Sequence, residues 1–384
     1  EVMSTLGVVG GYTDGSFNPQ GTLTRGAAAK IICNLILGTT TADALTADAA
    51  PYKDVATTNV FAPYIAYCAK EGIISGYADG TFRLANTLTG YAFMKMLLGA
   101  LGLQADKEGY TGPNWSISVA KRALSKDVAL DNGLKGEFNG AKAVTREEAC
   151  LYALNMLKAG TFSYPNDNTV IVGNVSVSTS AKAVQDKNKP YYETVFKNLF
   201  AHSTSDAFGR PATRWDYKGV KIGTYAKTPD LTYVGSVKVN DIYADLNMST
   251  KDTTANLYVN GVSFDKDGKD AATFTVSKAN DTKLDKLGGT ADKIGNGTLI
   301  EVYRNDDNNH VDVIAMSVYA GKITDVKDAT SKKDAYVVVD TDSTIADFND
   351  EYETEAFAED DVVAFTYADG EIQTMYKMES VSGE

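Results

Sequence analysis

Gly11-Tyr12-Thr13-Asp14-Gly15-Ser16-Phe17 and Gly76-Tyr77-Ala78-Asp79-Gly80-Thr81-Phe82 are one loop written twice, and each leads seven residues later to a threonine, Thr24 or Thr89, that opens an apolar run. A looser third copy, Gly133-Leu134-Lys135-Gly136-Glu137-Phe138, leads in the same way to Thr145. Thr24 and Thr89 are 65 positions apart and Thr89 and Thr145 are 56 apart. The unit is therefore one supersecondary module of roughly 50 to 60 residues, a period that marks repeat architectures.

After each threonine the apolar residues recur at helical spacing. Ala28, Ile31, Ile32, Leu35 and Ile36 follow Thr24, and Ala149, Tyr152, Ala153, Met156 and Leu157 follow Thr145, both sets on one face of a helix. A threonine hydroxyl accepts one of the N–H groups that a helix start leaves unpaired, and Thr145 with Glu148 spells a capping box. Ala27 and Ala92 hold the matching places in the other copies, so only the third box is complete. In front of each threonine, Asp-Gly supplies a tight turn and the following Phe pins the loop to the core. Upstream, Phe61 to Glu71 and Ile117 to Leu124 read as short helices. The module is predicted to be helix, glycine loop, capped helix.

Composition bounds the rest. At 384 residues the chain is too long for one core, and two to four domains are expected. Charged residues at 23% and hydrophobic ones at 43% are the balance of an ordinary folded protein. With 50 acidic against 37 basic residues, the net charge of −13 disfavours a nucleic-acid partner. No apolar run reaches the roughly 18 residues of a membrane span, so no membrane insertion is expected. The chain starts at Glu1, and copy one has only Glu1 to Gly11 as its lead-in where copy two has Tyr52 to Gly72, which predicts a piece cut from a longer chain. Cys33, Cys68 and Cys150 sit in apolar helical stretches without CxxC spacing, a pattern that favours buried thiols over a disulfide framework or a zinc site.

Beyond Gly160 the texture changes. Tyr192, Val195, Phe196, Leu199 and Phe200 predict one more amphipathic helix, started by Pro190. Past about Thr232 the pattern turns to strands: Val237 to Val239, Leu257 to Val259, Thr273 to Val276, Leu299 to Tyr303, Val311 to Met316, Ala335 to Val339, Val362 to Tyr367 and Ile372 to Met378, with no long helix among them. The pair Leu299 to Tyr303 and Val311 to Met316, ending at Gly321, is echoed by Val362 to Tyr367 and Ile372 to Met378, ending at Gly383. The expected class is multidomain α+β. An all-α three-module bundle fills residues 1–160 (1–45, cut short, 52–102 and 110–160), a connector with one helix and short strands fills 161–234, and tandem small antiparallel β modules fill 235–320 and 321–384, the last cut short.

The copies GYTDGSFNPQGTLTRGAAAK, GYADGTFRLANTLTGYAFMK and LKGEFNGAKAVTREEACLYA resemble the S-layer homology module, whose hallmark is GYxDGTFxPxxxxTRAE followed by an apolar helix. The resemblance covers about residues 1–160. It implies a pseudo-threefold bundle that anchors a protein outside the cell, to the bacterial cell wall or S-layer, by gripping a secondary, often pyruvylated, polysaccharide. A pyruvyl ketal presents a carboxylate, and a helix N-terminus presents N–H groups with partial positive charge. Arg25 and Arg146 directly follow the caps Thr24 and Thr145, where a guanidinium forks onto a carboxylate or pairs with an acidic residue of a neighbouring module. Tyr12 and Tyr77 either stack on sugar faces or pack, beside the turn residues Asp14, Gly15, Asp79 and Gly80. Trp115 stands where the family carries an aromatic residue, with Phe61 at the comparable place in copy two. Copy two departs from the pattern, with Gly90-Tyr91 in place of the arginine, and copy three lacks the Tyr-x-Asp-Gly turn.

Other signals weigh less. His202-Ser203-Thr204-Ser205-Asp206 imitates a triad, but a triad is assembled in space and needs an oxyanion donor set. Asp265, Asp267 and Asp270 are spaced like a calcium loop, but Val276 stands where the twelfth-position Glu belongs, so a solvated turn is favoured over calcium. Asp306-Asp307-Asn308-Asn309 and Glu359-Asp360-Asp361 read the same way. Gly209 to Trp215 reads as a loop packing against the anchor, or as a carbohydrate contact. The expectation is a non-enzymatic surface protein without cofactors, whose β modules self-associate with other copies in a lattice. The alternatives are a wall-anchored adhesin or glycan-binding protein, and the anchor portion of a glycan-processing enzyme.

Overall fold

Contacts divide the chain into two units, one of Glu1–Ala201 with Arg214–Gly223 and one of His202–Thr213 with Thr224–Glu384. The computed structural model describes all residues except 166–167, 173–174, 180–181, 250–253, 265–272, 276–282, 288, 308, 332 and 379–384. The calcium candidates Asp265, Asp267 and Asp270 lie outside the described residues, as does Gly383.

The first unit begins with seven helices: α1 (Val2–Thr5), α2 (Arg25–Leu37), α3 (Thr39–Asp43), α4 (Ala62–Lys70), α5 (Gly90–Ala100), α6 (Trp115–Ala123) and α7 (Arg146–Lys158). The apolar stripes behave as their spacing requires. Ala28, Ile31, Ile32 and Leu35 of α2, and Ala149, Tyr152, Ala153, Met156 and Leu157 of α7, are buried in one core with Phe93, Met94, Leu97 and Leu98 of α5. All three threonines cap. Thr24 Oγ1 accepts from Ala27 N and Thr89 Oγ1 from Ala92 N, each at 3.3 Å. Only at Thr145 is the bond returned, with Glu148 N donating to Thr145 Oγ1 at 3.2 Å and Thr145 N donating to Glu148 Oε2 at 2.8 Å.

The residue before each cap closes a ring that no pairwise reading of sequence shows. Leu23 N donates to Val144 O, Val144 N to Leu88 O and Leu88 N to Leu23 O, each at 2.9 Å, and all three residues are buried. Three copies thus exchange one backbone bond each around a common point, which holds α2, α5 and α7 start to start.

After α7 come β1 (Gly160–Ser163), β2 (Asn168–Val172), β3 (Val175–Thr179), β4 (Val184–Pro190), the single turn α8 (Tyr192–Val195), β5 (Leu199–Ser205), β6 (Pro211–Tyr217) and β7 (Val220–Ala226). β1 pairs with β4, β2 with β3, and β5, β6 and β7 form a three-stranded sheet. The helix expected from Tyr192 through Phe200 is one turn only. Phe196 leaves helical geometry at φ −104° and ψ 64°, and Leu199 onward pairs as a strand. Pro190 ends β4 opposite Gly160 instead of starting a helix. The Gly209 to Trp215 stretch is split: Trp215 is buried against Tyr192 in the first core, while Arg210 Nε meets Asp206 Oδ2 at 2.6 Å. Both Asp206 oxygens accept within its own turn, Oδ1 from Phe208 N and Arg210 N and Oδ2 from Arg210 Nε.

The second unit is built on one sheet of β8 (Leu231–Val234), β9 (Thr254–Val259), β10 (Val262–Ser263), β11 (Thr273–Thr275), β12 (Thr298–Arg304), β13 (His310–Lys327), β14 (Tyr336–Asp340), β15 (Glu351–Glu353), β16 (Val362–Ala368) and β17 (Glu371–Lys377), with α9 (Val239–Asp245) between β8 and β9. The two expected hairpins form, β12 with β13 and β16 with β17. β13 extends far past Met316. Its first half lies between β12 and β9, and its second half between β14 and β16. The β9–β13 pairing is parallel, an exception to the antiparallel expectation. Val237 to Val239 is not a strand: Val239, Ile242, Tyr243 and Leu246 stand at i, i+3, i+4 and i+7, and all four are buried as the face of α9 and its cap. Polar contacts within the chain tie parts of the acidic turns, and Asn308 lies outside the described residues. Asn305 Oδ1 accepts from the N–H groups of Asn309 and His310, Asp360 pairs with Lys322, and Asp361 pairs with Lys377.

Candidate functional site

The glycine loops are locked from within. Asp79 Oδ1 accepts from Thr81 N at 2.9 Å and Thr81 Oγ1 at 2.6 Å, and Asp14 Oδ1 repeats this with Ser16 N at 2.9 Å and Ser16 Oγ at 2.7 Å. These bonds, with Arg83 beside it, hold the Asp79 carboxyl down at about 2, and the same bonds from Ser16 lower Asp14. Gly15 and Gly80 follow with φ of +84° and +82°, the left-handed region in which a side chain is strained. Asp14, Gly15, Asp79 and Gly80 are therefore turn-makers.

Each arginine reaches out of its own copy into the next. Arg25 Nε donates to Phe82 O at 2.8 Å and its Nη2 to Ser75 O at 3.0 Å, with the guanidinium 4.2 Å from the Phe82 ring centre and 5.2 Å from that of Tyr77. Arg146 does the same to copy one: Nε to Phe17 O at 2.9 Å, Nη2 to Gly10 O at 2.7 Å, and rings Phe17 at 4.6 Å and Tyr12 at 5.0 Å. These partners are backbone carbonyls and aromatic faces, where the sequence offered a choice of ligand or neighbouring carboxylate. Tyr12 and Tyr77 stay half exposed, and the Tyr77 ring also carries the Arg83 guanidinium, 4.1 Å from its centre.

The helix N-termini are not open to a ligand. Arg25 N donates to Asn86 O and Gly26 N to Leu84 O; Gly90 N to Lys142 O and Tyr91 N to Gly140 O; Arg146 N to Gly21 O and Glu147 N to Pro19 O. With the third N–H of each helix taken by its cap threonine, the donors expected to face a carboxylate are all occupied by the neighbouring loop. Gly90 has a steric reason: a Cβ there would lie 3.2 Å from Gly140 Cα and 3.3 Å from the Phe138 ring. Tyr91 stacks edgewise on Phe138 at 5.6 Å and on Trp115 at 6.5 Å, so Trp115 closes this junction as Phe61 closes the one at Gly26.

What remains open is a groove beside Arg25. A cavity of about 490 Å³ is lined by Arg25, Tyr77, Phe82, Thr89, Lys95 and Trp115 among others, and it adjoins a second of about 670 Å³ through Ile73, Ile74, Ser75, Lys95 and Thr111. Lys95 was not singled out from sequence. Burial lowers its pKa, its ammonium lies 5.6 Å from the Trp115 ring, and no carboxylate among the described residues pairs with it. The legible signal was a lysine embedded in Phe93-Met94-Lys95-Met96-Leu97, a charge on an apolar helix with no nearby acid. A desolvated, unpaired ammonium beside a guanidinium and two aromatic rings is suited to an anionic sugar. No group of three or more metal-ligating side chains occurs among the described residues, and no helix there is long and apolar enough to cross a membrane.

Comparison with known proteins follows the same stretch. The family model of the S-layer homology domain matches residues 1–29 and 51–89. Cell surface glycoprotein 1 of Acetivibrio thermocellus is 36% identical over 88 residues, 23% of this chain and 4% of that protein. The surface layer protein of Brevibacillus choshinensis is 31% identical over 127 residues, 33% of this chain and 11% of that protein. An endoglucanase of a Bacillus species is 28% identical over 144 residues, 36% of this chain and 15% of that protein. This chain thus spans a small part of the length of the relatives it matches.

Proposed function

We propose, from the premise that this chain carries S-layer homology domains and is a cell-wall-associated protein of the bacterial surface, that its helical unit grips an anionic secondary wall polysaccharide and that its β unit forms or extends a surface layer. The observation that carries the reading is the groove in which Arg25 and Lys95 face the same cavity with Tyr77 and Trp115 on its walls. The pyruvyl carboxylate is the ligand group that best suits it: Lys95 supplies a charge whose desolvation an anion relieves, and the aromatic rings supply flat apolar surface for a sugar. The ring of bonds among Leu23, Leu88 and Val144 supports reading residues 110–160 as a third module, although the family model stops at residue 89. The same kind of module occurs in a surface layer protein and in an endoglucanase, so it speaks for attachment and not for catalysis; we assign this chain no reaction.

The test is a pulldown with purified wall polysaccharide, intact or stripped of its ketal by mild acid. Lys95→Met is the cleaner variant, because Arg25→Ala also abandons the carbonyls of Phe82 and Ser75. Loss of one charge-assisted contact of about 1.5 to 3 kcal/mol predicts binding at least tenfold weaker. Undiminished binding by Lys95→Met, or equal binding of stripped polysaccharide, overturns the proposal.

A further inference from the structure

Cys33 on α2 and Cys68 on α4 are 35 positions apart, and their sulfurs lie 3.6 Å apart. A reciprocal pair of contacts places them: Cys33 Sγ donates to Tyr64 O at 3.5 Å, and Cys68 Sγ donates to Ala29 O at 3.7 Å. Each accepting carbonyl lies one turn before the opposing cysteine, so the two helices cross at the thiols. Both side chains are fully buried, whereas Cys150 is half buried on α7. A disulfide holds its sulfurs at about 2.05 Å, which leaves roughly 0.8 Å of travel for each.

We propose that Cys33 and Cys68 form a disulfide that staples copy one of the repeat to copy two, and that this bond is set while the helical unit folds. The oxidant is a low-molecular-weight disulfide. One cysteine thiolate attacks it to give a mixed disulfide and release one thiol; the second thiolate attacks the protein sulfur of that mixed disulfide and releases the other. Two electrons pass from the protein dithiol to the reagent, and the two cysteine protons leave on the released thiols. The cell surface is a compartment in which such a bond persists. Timing follows from packing. Once α2 meets α4, neither sulfur is reachable, and the close Cys33 thiol together with burial pushes the Cys68 thiol far above its ordinary range, so the attacking thiolate is absent.

The experiment uses the whole chain. Denatured, reduced protein is refolded with oxidised glutathione, and folded, reduced protein is incubated with the same reagent. Both are then alkylated under denaturing conditions and mapped by tryptic mass spectrometry without reduction. In the refolded sample the peptide containing Cys33 is expected joined to the peptide containing Cys68, with Cys150 alkylated, and the linked protein is expected to melt roughly 5 to 15 °C above the reduced form. The prefolded sample is expected to keep Cys33 and Cys68 reduced. Recovery of natively folded protein from oxidative refolding with both thiols alkylated overturns the disulfide. Equally rapid linkage in the prefolded sample overturns its timing.

Discussion

At the scale of single residues, Arg25 and Lys95 share a groove and do different work. Arg25 binds two carbonyls of the next copy and so is a structural tie as much as a surface charge, while Lys95 lies by the Trp115 ring and pairs with no carboxylate among the described residues. Burial lowers the Lys95 pKa in the unliganded protein, and a bound carboxylate favours its charged form and raises it. Between those two values binding takes up a proton, so polysaccharide affinity is expected to fall as pH rises through the lowered pKa, by at most about tenfold per pH unit for one proton. Below that range the ammonium is already charged and contributes no slope. Titration calorimetry across alkaline pH checks this. A slope that persists unchanged in Lys95→Met would assign the effect to another group.

At the scale of elements, the helix starts carry the architecture. Sequence spacing located all three capped helices, and Thr145 with Glu148 was legible as a complete box because both partners lie within four residues. Thr145→Ala is expected to cost about 1 kcal/mol of stability, read as a lower midpoint in scanning calorimetry. Glu148→Gln is expected to cost less, since an amide oxygen still accepts from Thr145 N. The donors at the first two positions of each helix were misread as available for a ligand. Their acceptors, such as Asn86 O for Arg25 N, lie dozens of residues away in a neighbouring copy, and local pattern carries no record of such partners. The one-turn α8 and the helix α9 failed for a related reason: a short apolar run suits either period, and the paired strand or buried face that decides between them is non-local.

At the scale of each whole unit, closure is the common theme. The helical unit closes through Leu23, Val144 and Leu88. The β unit is organised by β13, whose Val311, Val313 and Ala315 enter one core, Ile314 and Met316 a second and Ile323 a third. Gly321 sits where β14 and β16 crowd this strand from both sides, and a Cβ there would lie 2.7 Å from Val339 Cγ1 and 2.9 Å from Asp340 O. Gly321→Ala is expected to destabilise the β unit by about 1 to 3 kcal/mol, measured as a lower denaturant midpoint. An unchanged midpoint would mean that the second half of β13 is free to move aside.

The sequence by itself determined the repeat, its glycine turns, its capped helices and its resemblance to the S-layer homology module, because each of these is written in residues that act on neighbours a few positions away. Only the tertiary structure decided that the arginines hold carbonyls of another copy, that the helix ends are closed, that Lys95 meets no counter-charge among the described residues, and that two cysteines 35 positions apart share a contact. Those facts depend on which distant segments meet, and burial and hydrogen-bond partnership exist only once they have met.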